Sequence, residues 1–275
     1  MSASPSSHSL SHVTFKLRAA GCVFAEDEAR LLVSAALTPA ELDDMVERRV
    51  AGLPLEYILG WAEFCGLRIA VEPGVFVPRR RTEFLTEQAI ALARQSANPV
   101  VVDLCCGSGA VGAAIVANLN AIQLYAADID PAAVECARRN IAADGQVLEG
   151  DLYEALPAAL RGSVDILVVN APYVPTEAIA MMPREARLYE AQVALDGGAD
   201  GLDVVRRVAA PAPLWLAPRG HLLVETSERQ VPQAVETVTR DGLIARVATS
   251  DELYATVVIG TRPALQGGKA GPGAG

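Results

Sequence analysis

Aromatic side chains make up only 5% of this 275-residue chain, which leaves little for the stacking platforms that hold single-stranded nucleic acid. Positive charge is short as well: 23 Lys and Arg stand against 33 Asp and Glu, a net charge of −10. The molecule as a whole repels a phosphate backbone, so no direct nucleic-acid partner is expected. The five cysteines, Cys22, Cys65, Cys105, Cys106 and Cys136, are odd in number and include no C-x-x-C pair. That pattern speaks against a disulfide framework and against a metal site. Long apolar runs are missing too: residues 110–117 and 208–217 are the most apolar stretches, and both fall short of the roughly 20 residues that span a bilayer. No membrane association is expected. Residues 1–12 are Ser-rich, with neither a basic start nor an apolar core, so they do not read as a signal peptide, and a cytoplasmic location is expected.

What the chain does have is apolar character, 51% of its residues, enough for one large domain and one small one. Between residues 15 and 50 the apolar positions fall at helical spacing, as in Ala29, Leu32, Val33 and Ala36, then Leu42, Met45, Val46 and Val50, which predicts two or three short helices. Thr38-Pro39-Ala40-Glu41 carries the hydroxyl, the proline and the acid of a helix start. Residues 63–77 change to short β-prone pieces around the turn signal Glu72-Pro73-Gly74, predicting a β-hairpin linker over 63–78. From residue 82 onward helical segments (82–97, 110–118, 131–143, 153–160, 231–240) alternate with strand-like ones (100–104, 122–127, 146–149, 165–169, 222–226), with a long irregular loop after 169. Such alternation predicts an α/β fold with a mostly parallel sheet covered on both faces. Segments 244–249 and 254–259 have no helix between them and should pair as a hairpin, placing an antiparallel strand at or near one sheet edge. The expected division is a small helical domain at 1–62 whose first dozen residues lack order, the linker at 63–78, the α/β domain at 79–262, and a flexible tail rich in Gly, Ala and Pro at 263–275.

The chemistry gathers at the ends of the strands. Asp103-Leu104-Cys105-Cys106-Gly107-Ser108-Gly109 closes the first strand of the sheet and opens a helix, the place where an open α/β sheet binds ligands and where glycines let the backbone come close. Gly107, Gly109 and Gly112 also satisfy G-x-G-x-x-G, so a dinucleotide site and a plain structural turn compete at this point. With Asp103 ahead of the glycines the segment resembles motif I of class I S-adenosylmethionine-dependent methyltransferases, and that resemblance implies cofactor contacts from Asp103, Cys105, Cys106, Gly107, Ser108 and Gly109. Asp128 ends the next strand and is suited to accept from ribose hydroxyls, while Asp130, just before Pro131, suits a helix cap. Asp151 is placed to hold an adenine amino group, with Leu152 packing on the ring; a surface turn explains this pair as well.

Asn170-Ala171-Pro172-Tyr173 follows the apolar strand Ile166-Leu167-Val168-Val169 and resembles the N-P-P-Y motif of methyltransferases that act on nitrogen attached to a planar group. An amide nitrogen is a poor nucleophile because its lone pair is delocalised, so a site must orient and polarise it. The Asn170 side-chain oxygen and the Ala171 carbonyl can each accept one N–H of a substrate amide, Asn170 also facing the cofactor, while Pro172 shapes the turn and Tyr173 packs on the amide plane.

Over residues 15–262 the chain resembles the peptide chain release factor N(5)-glutamine methyltransferase family (HemK/PrmC). The resemblance rests on the linker run from Arg49 through Leu55-Glu56-Tyr57 to Gly60, on Glu63-Phe64-Cys65-Gly66-Leu67, on Val77-Pro78-Arg79-Arg80-Arg81-Thr82-Glu83, and on the segment from Tyr189 to Asp196-Gly197-Gly198-Ala199-Asp200-Gly201-Leu202. It implies a class I methyltransferase (Rossmann-like) domain behind a small helical domain that recognises a protein substrate. It also implies S-adenosyl-L-methionine as cofactor and the Gly-Gly-Gln glutamine of a release factor as acceptor. Four departures stand out: Ala171 for the first proline of N-P-P-Y, Cys105-Cys106 for a Gly-containing pair, Arg80 for a proline, and a shorter helical region, which fits a paralogue as well. N-methylation of another protein or of a nucleobase, and a cofactor-binding module without activity, are the alternatives.

Overall fold

The computed structural model describes residues 7–141 and 145–264. The chain opens with helices α1 (Ser7–Ala19), α2 (Ala25–Ala35), α3 (Pro39–Val50) and α4 (Leu55–Leu59). They form because each carries one apolar face: Val13 and Leu17, Ala25, Ala29 and Leu32, Met45 and Val46, and Ile58 meet in a single cluster. Helix α3 starts as its sequence predicts. Thr38 Oγ1 accepts the Glu41 N–H at 3.1 Å, and the Glu41 carboxylate reaches back to the Leu37 N–H at 2.7 Å. At the end of α3 the side chain of Arg49 is buried against Glu28, with Nε 2.6 Å from Oε2, and its Nη1 extends to Glu185 at 2.7 Å. Neighbouring carboxylates hold the guanidinium's pKa above its ordinary value, against the opposing and largest effect of burial.

The hairpin lies at β1 (Trp61–Phe64) and β2 (Leu67–Ala70), earlier than the 63–78 predicted. Its turn is Cys65-Gly66, both at positive φ (49° and 74°), the pairing that a two-residue hairpin of matching twist requires. The Pro-Gly signal at 73–74 instead bends an extended linker, whose Val71, Val75 and Val77 are buried.

Behind the linker stand α5 (Thr82–Ala93), β3 (Val100–Leu104), α6 (Ala110–Asn118), β4 (Gln123–Asp128), α7 (Pro131–Ile141), β5 (Gly145–Glu149) and β6 (Val164–Val169). They are followed by α8 (Arg184–Tyr189), α9 (Asp203–Ala209), α10 (Ala212–Trp215), β7 (Leu216–Thr226), α11 (Val231–Arg240), β8 (Ile244–Ser250) and β9 (Ala255–Thr261). Seven strands form one sheet in the order β5-β4-β3-β6-β7-β9-β8. All pairs are parallel except those of β9, which runs antiparallel to both β7 and β8, as the helix-free link before it predicts. Both faces are covered. Val101 of β3 packs with α5, α6 and α7, while Val102 and Leu104 point the other way, into a layer with Val205, Val208, Ala234 and Val238.

Several boundaries differ from expectation. The start of the chain is helical from Ser7, inside the stretch expected to lack order. The helix predicted at 82–97 stops at Ala93, and the one at 131–143 ends at Ile141, before residues outside the described part. The helix predicted at 153–160 is two 3-10 turns, Leu152–Ala155 and Ala158–Leu160. Pro157 separates them because it offers no N–H and drives Leu156 into an extended conformation (ψ 142°). The irregular loop after β6 carries α8 and leads to α9 and α10, too short for periodicity to reveal. The tail expected at 263–275 lies, beyond residue 264, outside the described residues.

Glu28→Ala strips a buried guanidinium of its closest partner and is expected to cost about 3 kcal/mol, the lower end for a broken buried pair because Glu185 remains. Combining it with Arg49→Met removes the stranded charge and should restore most of the loss. Chemical denaturation of the single and double variants checks both outcomes.

Candidate active site

The parallel strands β4, β3, β6 and β7 end at one edge of the sheet, and a cleft open to solvent lies above those ends. The loop after β3 forms its floor. Cys105, Gly107 and Gly109 have positive φ (56°, 54° and 76°), so the chain can turn sharply before α6, at a cost for Cys105 that glycine would avoid. A Cβ on Gly109 would lie 3.0 Å from Ala137 Cβ, so glycine there lets α6 start against α7. The Gly112 N–H donates to Asp103 Oδ2 at 3.0 Å. The third glycine of the G-x-G-x-x-G pattern thus serves a buried carboxylate. Asp103 is 1% exposed. Burial pushes its pKa up to about 7 and Asp128 adds repulsion, while the Gly112 hydrogen bond opposes both.

Asp128, at the end of β4, accepts the Gly107 N–H at 2.8 Å and the Asp130 N–H at 3.0 Å. Burial raises its pKa, and these two N–H groups resist the rise. Asp130 accepts the Ala132 N–H at 2.9 Å and so takes the capping position on α7. Asp151 pairs with Arg207 of α9 at 2.6 Å, and Leu152 beside it adopts φ 52°; both line the cleft. Cys105, Cys106, Gly107 and Ser108 line it too. Both thiols are pushed up by burial, most of all, and by the surrounding carboxylates, so neither is poised as a nucleophile.

The loop after β6 forms the opposite wall. Asn170 Nδ2 donates to Thr82 Oγ1 at 3.4 Å, and Tyr173 Oη donates to Glu225 Oε1 at 3.3 Å. Arg81 lies over the Tyr173 ring, 5.3 Å from its centroid, with Nε 3.2 Å from the same Glu225 oxygen. Ala171, where the resemblance calls for proline, is buried and packs into the core layer beneath. The glycines at 197–201 close around this loop. A Cβ on Gly197 would meet the Pro172 carbonyl at 2.7 Å and one on Gly201 the Tyr173 carbonyl at 2.2 Å, and Gln230 Nε2 donates to that Tyr173 carbonyl at 3.0 Å.

The structure therefore gathers the predicted residues Asp103, Cys105, Cys106, Gly107, Ser108, Asp128, Asp151, Leu152, Asn170, Ala171, Pro172 and Tyr173 around one cleft. Gly109 sits just behind, at the start of α6. Sequence reasoning missed Phe76, Arg81, Thr82 and Arg207, which also line the cleft, and Glu225 behind it. The signal for Glu225 was a lone acid at the end of Leu222-Leu223-Val224, a buried strand. No group of three or more His, Cys, Asp or Glu able to hold a metal occurs among the described residues, nor any helix there long and apolar enough to cross a membrane.

The family model of the methyltransferase small domain matches residues 66–217. Among solved structures, a methyltransferase from Pyrococcus furiosus superposes with a TM-score of 0.52 at 15% identity over 72% of this chain and 90% of its own, a likeness of fold. Strand order, the antiparallel β9 and the cleft above the parallel strand ends define a class I, Rossmann-like methyltransferase. A release factor glutamine methyltransferase of Geobacter sulfurreducens is 36% identical over 82% of this chain and 80% of its own. A 4-amino-L-phenylalanine/4-methylamino-L-phenylalanine methyltransferase of Streptomyces pristinaespiralis is 36% identical over 68% of this chain and 65% of its own. The chain belongs to the release factor glutamine methyltransferase family.

The buried Asp103 makes stability depend on pH. Its folded pKa, about 7, lies above the ordinary carboxylate value, so the folded state holds an extra proton between about pH 4 and 7 and loses stability as pH rises through that window. Asp103→Asn keeps an acceptor for the Gly112 N–H without the charge. It should melt above the wild type at about pH 8, with the gap closing towards about pH 5, as thermal unfolding across that range will show.

Proposed function

We propose that the protein transfers a methyl group from S-adenosyl-L-methionine to the side-chain amide nitrogen of a protein glutamine, that of the Gly-Gly-Gln motif of a peptide chain release factor. The observation that carries this reading is the Asn170 loop. Donation of Asn170 Nδ2 to Thr82 leaves Oδ1 as the atom that accepts from a substrate, beside the Ala171 carbonyl and the Tyr173 ring. An amide NH2 has two N–H bonds in one plane, and these two acceptors with a flat ring match it. The names of the relatives support the same acceptor.

The cleft fits the cofactor. Glycine at 107 leaves open the space between the loop and Phe76, which a side chain would enter. The Asp128 carboxylate accepts two backbone N–H bonds and has two further lone pairs for the two ribose hydroxyls. Asp151 and Leu152 supply a polar group and an apolar surface for the adenine. When bound, the cofactor supplies an electrophilic methyl group on a sulfonium. The protein's part is positional: Asn170 and Ala171 hold the amide hydrogens, Tyr173 fixes the amide plane, and the two oxygens favour the positive charge that develops on the nitrogen. A deprotonating side chain is not required while the nitrogen forms its new bond, since the excess proton leaves afterwards to water. The helical domain adds a surface for a protein acceptor, since Phe15, Val23, Phe24 and Leu37 are largely exposed there.

Incubation with labelled S-adenosyl-L-methionine and purified release factor should place the label on the Gly-Gly-Gln glutamine. Label on a free aromatic amine, on another protein or on nucleic acid, and none on the release factor, would overturn the acceptor. Asn170→Ala should leave the cofactor dissociation constant nearly unchanged and lower single-turnover methylation by roughly 10²-fold, with Asn170→Asp between it and the wild type. Asp128→Ala should weaken cofactor binding in calorimetric titration by roughly 1.5–3 kcal/mol, the value of a hydrogen bond to a charged acceptor. An unchanged constant in the folded variant would move the ribose contact to Asp130.

A further inference from the structure

Glu225 is 2% exposed and lies at the end of β7, behind the cleft wall and not on it. Carboxylates are seldom buried so fully without a partner for each oxygen. Here Oε1 receives the Tyr173 hydroxyl at 3.3 Å and faces Arg81 Nε at 3.2 Å, while Oε2 makes no hydrogen bond among the described residues. Burial raises the pKa of this acid, and the Thr82 hydroxyl, the Arg81 guanidinium and the Tyr173 hydroxyl all work to keep it ionised. Thr82 is itself buried, and its Oγ1 is the atom that receives the Asn170 N–H at 3.4 Å. Tyr173 of the catalytic loop therefore leads directly to this carboxylate, and Asn170 leads to Thr82, whose hydroxyl is among the groups that favour the charge on Glu225.

We propose that Glu225 is a positioning residue for methyl transfer, fixing through Thr82 which atom of the Asn170 amide faces the acceptor and holding Tyr173 in place directly. A threonine hydroxyl has one hydrogen to give and two lone pairs with which to accept. With an anion behind it, the hydrogen turns to the anion, and only the accepting side is left for Asn170. The Asn170 NH2 must then point inward and its oxygen outward, the orientation that receives an amide N–H. Without the charge, the hydroxyl is free to donate to Asn170 Oδ1. The side chain can then turn over and present its NH2 to the NH2 of the acceptor, donor against donor. A neutral Glu225 would allow both arrangements and leave only a fraction of molecules competent at any moment.

This inference rests on the amide-methylation reading, and its test separates the two. Glu225→Gln removes the charge at constant shape, Thr82→Val removes the hydroxyl at constant shape, and Thr82→Ser keeps the hydroxyl. Thermal melts confirm that each variant is folded. With release factor as acceptor, Glu225→Gln and Thr82→Val should each lower kcat by roughly 10-fold, with KM for the release factor and the cofactor dissociation constant within about 2-fold of wild type. The double variant should lose little more than Glu225→Gln alone, because the Thr82 arm runs through Glu225. Thr82→Ser should recover most of the Thr82→Val loss. Wild-type kcat in Glu225→Gln or Thr82→Val overturns the proposal. So does a double variant in which the two losses multiply to roughly 10²-fold, or a loss confined to cofactor affinity, which marks a purely structural role. If Glu225→Gln does not fold, the proposal stands or falls on Thr82→Val against Thr82→Ser. A wild-type protein that methylates no release factor refutes the earlier reading, whereas an active wild type with an impaired Asn170→Ala and an unimpaired Glu225→Gln refutes this one alone.

Discussion

The parallel alignment of β4, β3, β6 and β7 is the constraint on which everything else depends. Parallel pairing sends all four chain exits to the same edge, so residues far apart in sequence, from Asp103 to Glu225, meet without any long excursion. The same pairing demands burial on both faces, which is why β3, β6 and the end of β7 read as runs of valine, leucine and isoleucine and β4 as Leu124 to Ala127 with no charge until its last residue. It also explains where the acids are. A carboxylate inside such a strand would have no water and few donors. At the strand end it meets the free N–H groups of the next turn, as Asp103 meets Gly112 and Asp128 meets Gly107. Each, like Glu225 at the end of β7, is still driven by burial towards its neutral form, so holding charge at this edge of the sheet costs stability.

The linker closes the other side of the cleft, and ordinary hydrogen bonding keeps it there. Asn140 of α7 accepts the Ala70 N–H at 2.8 Å and donates to both the Ala70 carbonyl and the Ser108 carbonyl, joining the hairpin to the loop after β3. Arg79 reaches both oxygens of the buried Glu190 at 2.6 Å, and Tyr57 donates to the Val75 carbonyl at 2.6 Å. The cleft is thus bounded by two parts of the chain that these polar contacts, the small apolar cluster of Tyr57, Ala62, Val71 and Val77, and the burial of the hairpin's Phe64 and Ile69 in the main core hold in register.

What could be read from sequence divides along physical lines. Strands buried on both faces and longer helices announce themselves by composition and alternation, and α6 and α11 have the bounds expected of them. The hairpin was misplaced because a Pro-Gly pair is a louder turn signal than Cys65-Gly66, although only the latter satisfies the φ requirements of a two-residue turn. The cleft residues with a motif around them, Asp103 to Gly109 and Asn170 to Tyr173, were legible because each motif is contiguous. Arg81 and Thr82 at the start of α5, Arg207 on α9 and Glu225 on β7 come from separate elements, and no local pattern announces a side chain whose partners lie some fifty or more positions away.

Arg49 gives the architecture a mechanical meaning. Its guanidinium joins Glu28 on the helical domain to Glu185 on α8, in the segment that follows the Asn170 loop. The helices and the segment beyond the catalytic loop are therefore pinned to one another through a single side chain, as two arms are by a rivet. Were an acceptor to dock on the helices, as proposed above, the span from its docking surface to its amide would have to match the separation that this rivet sets.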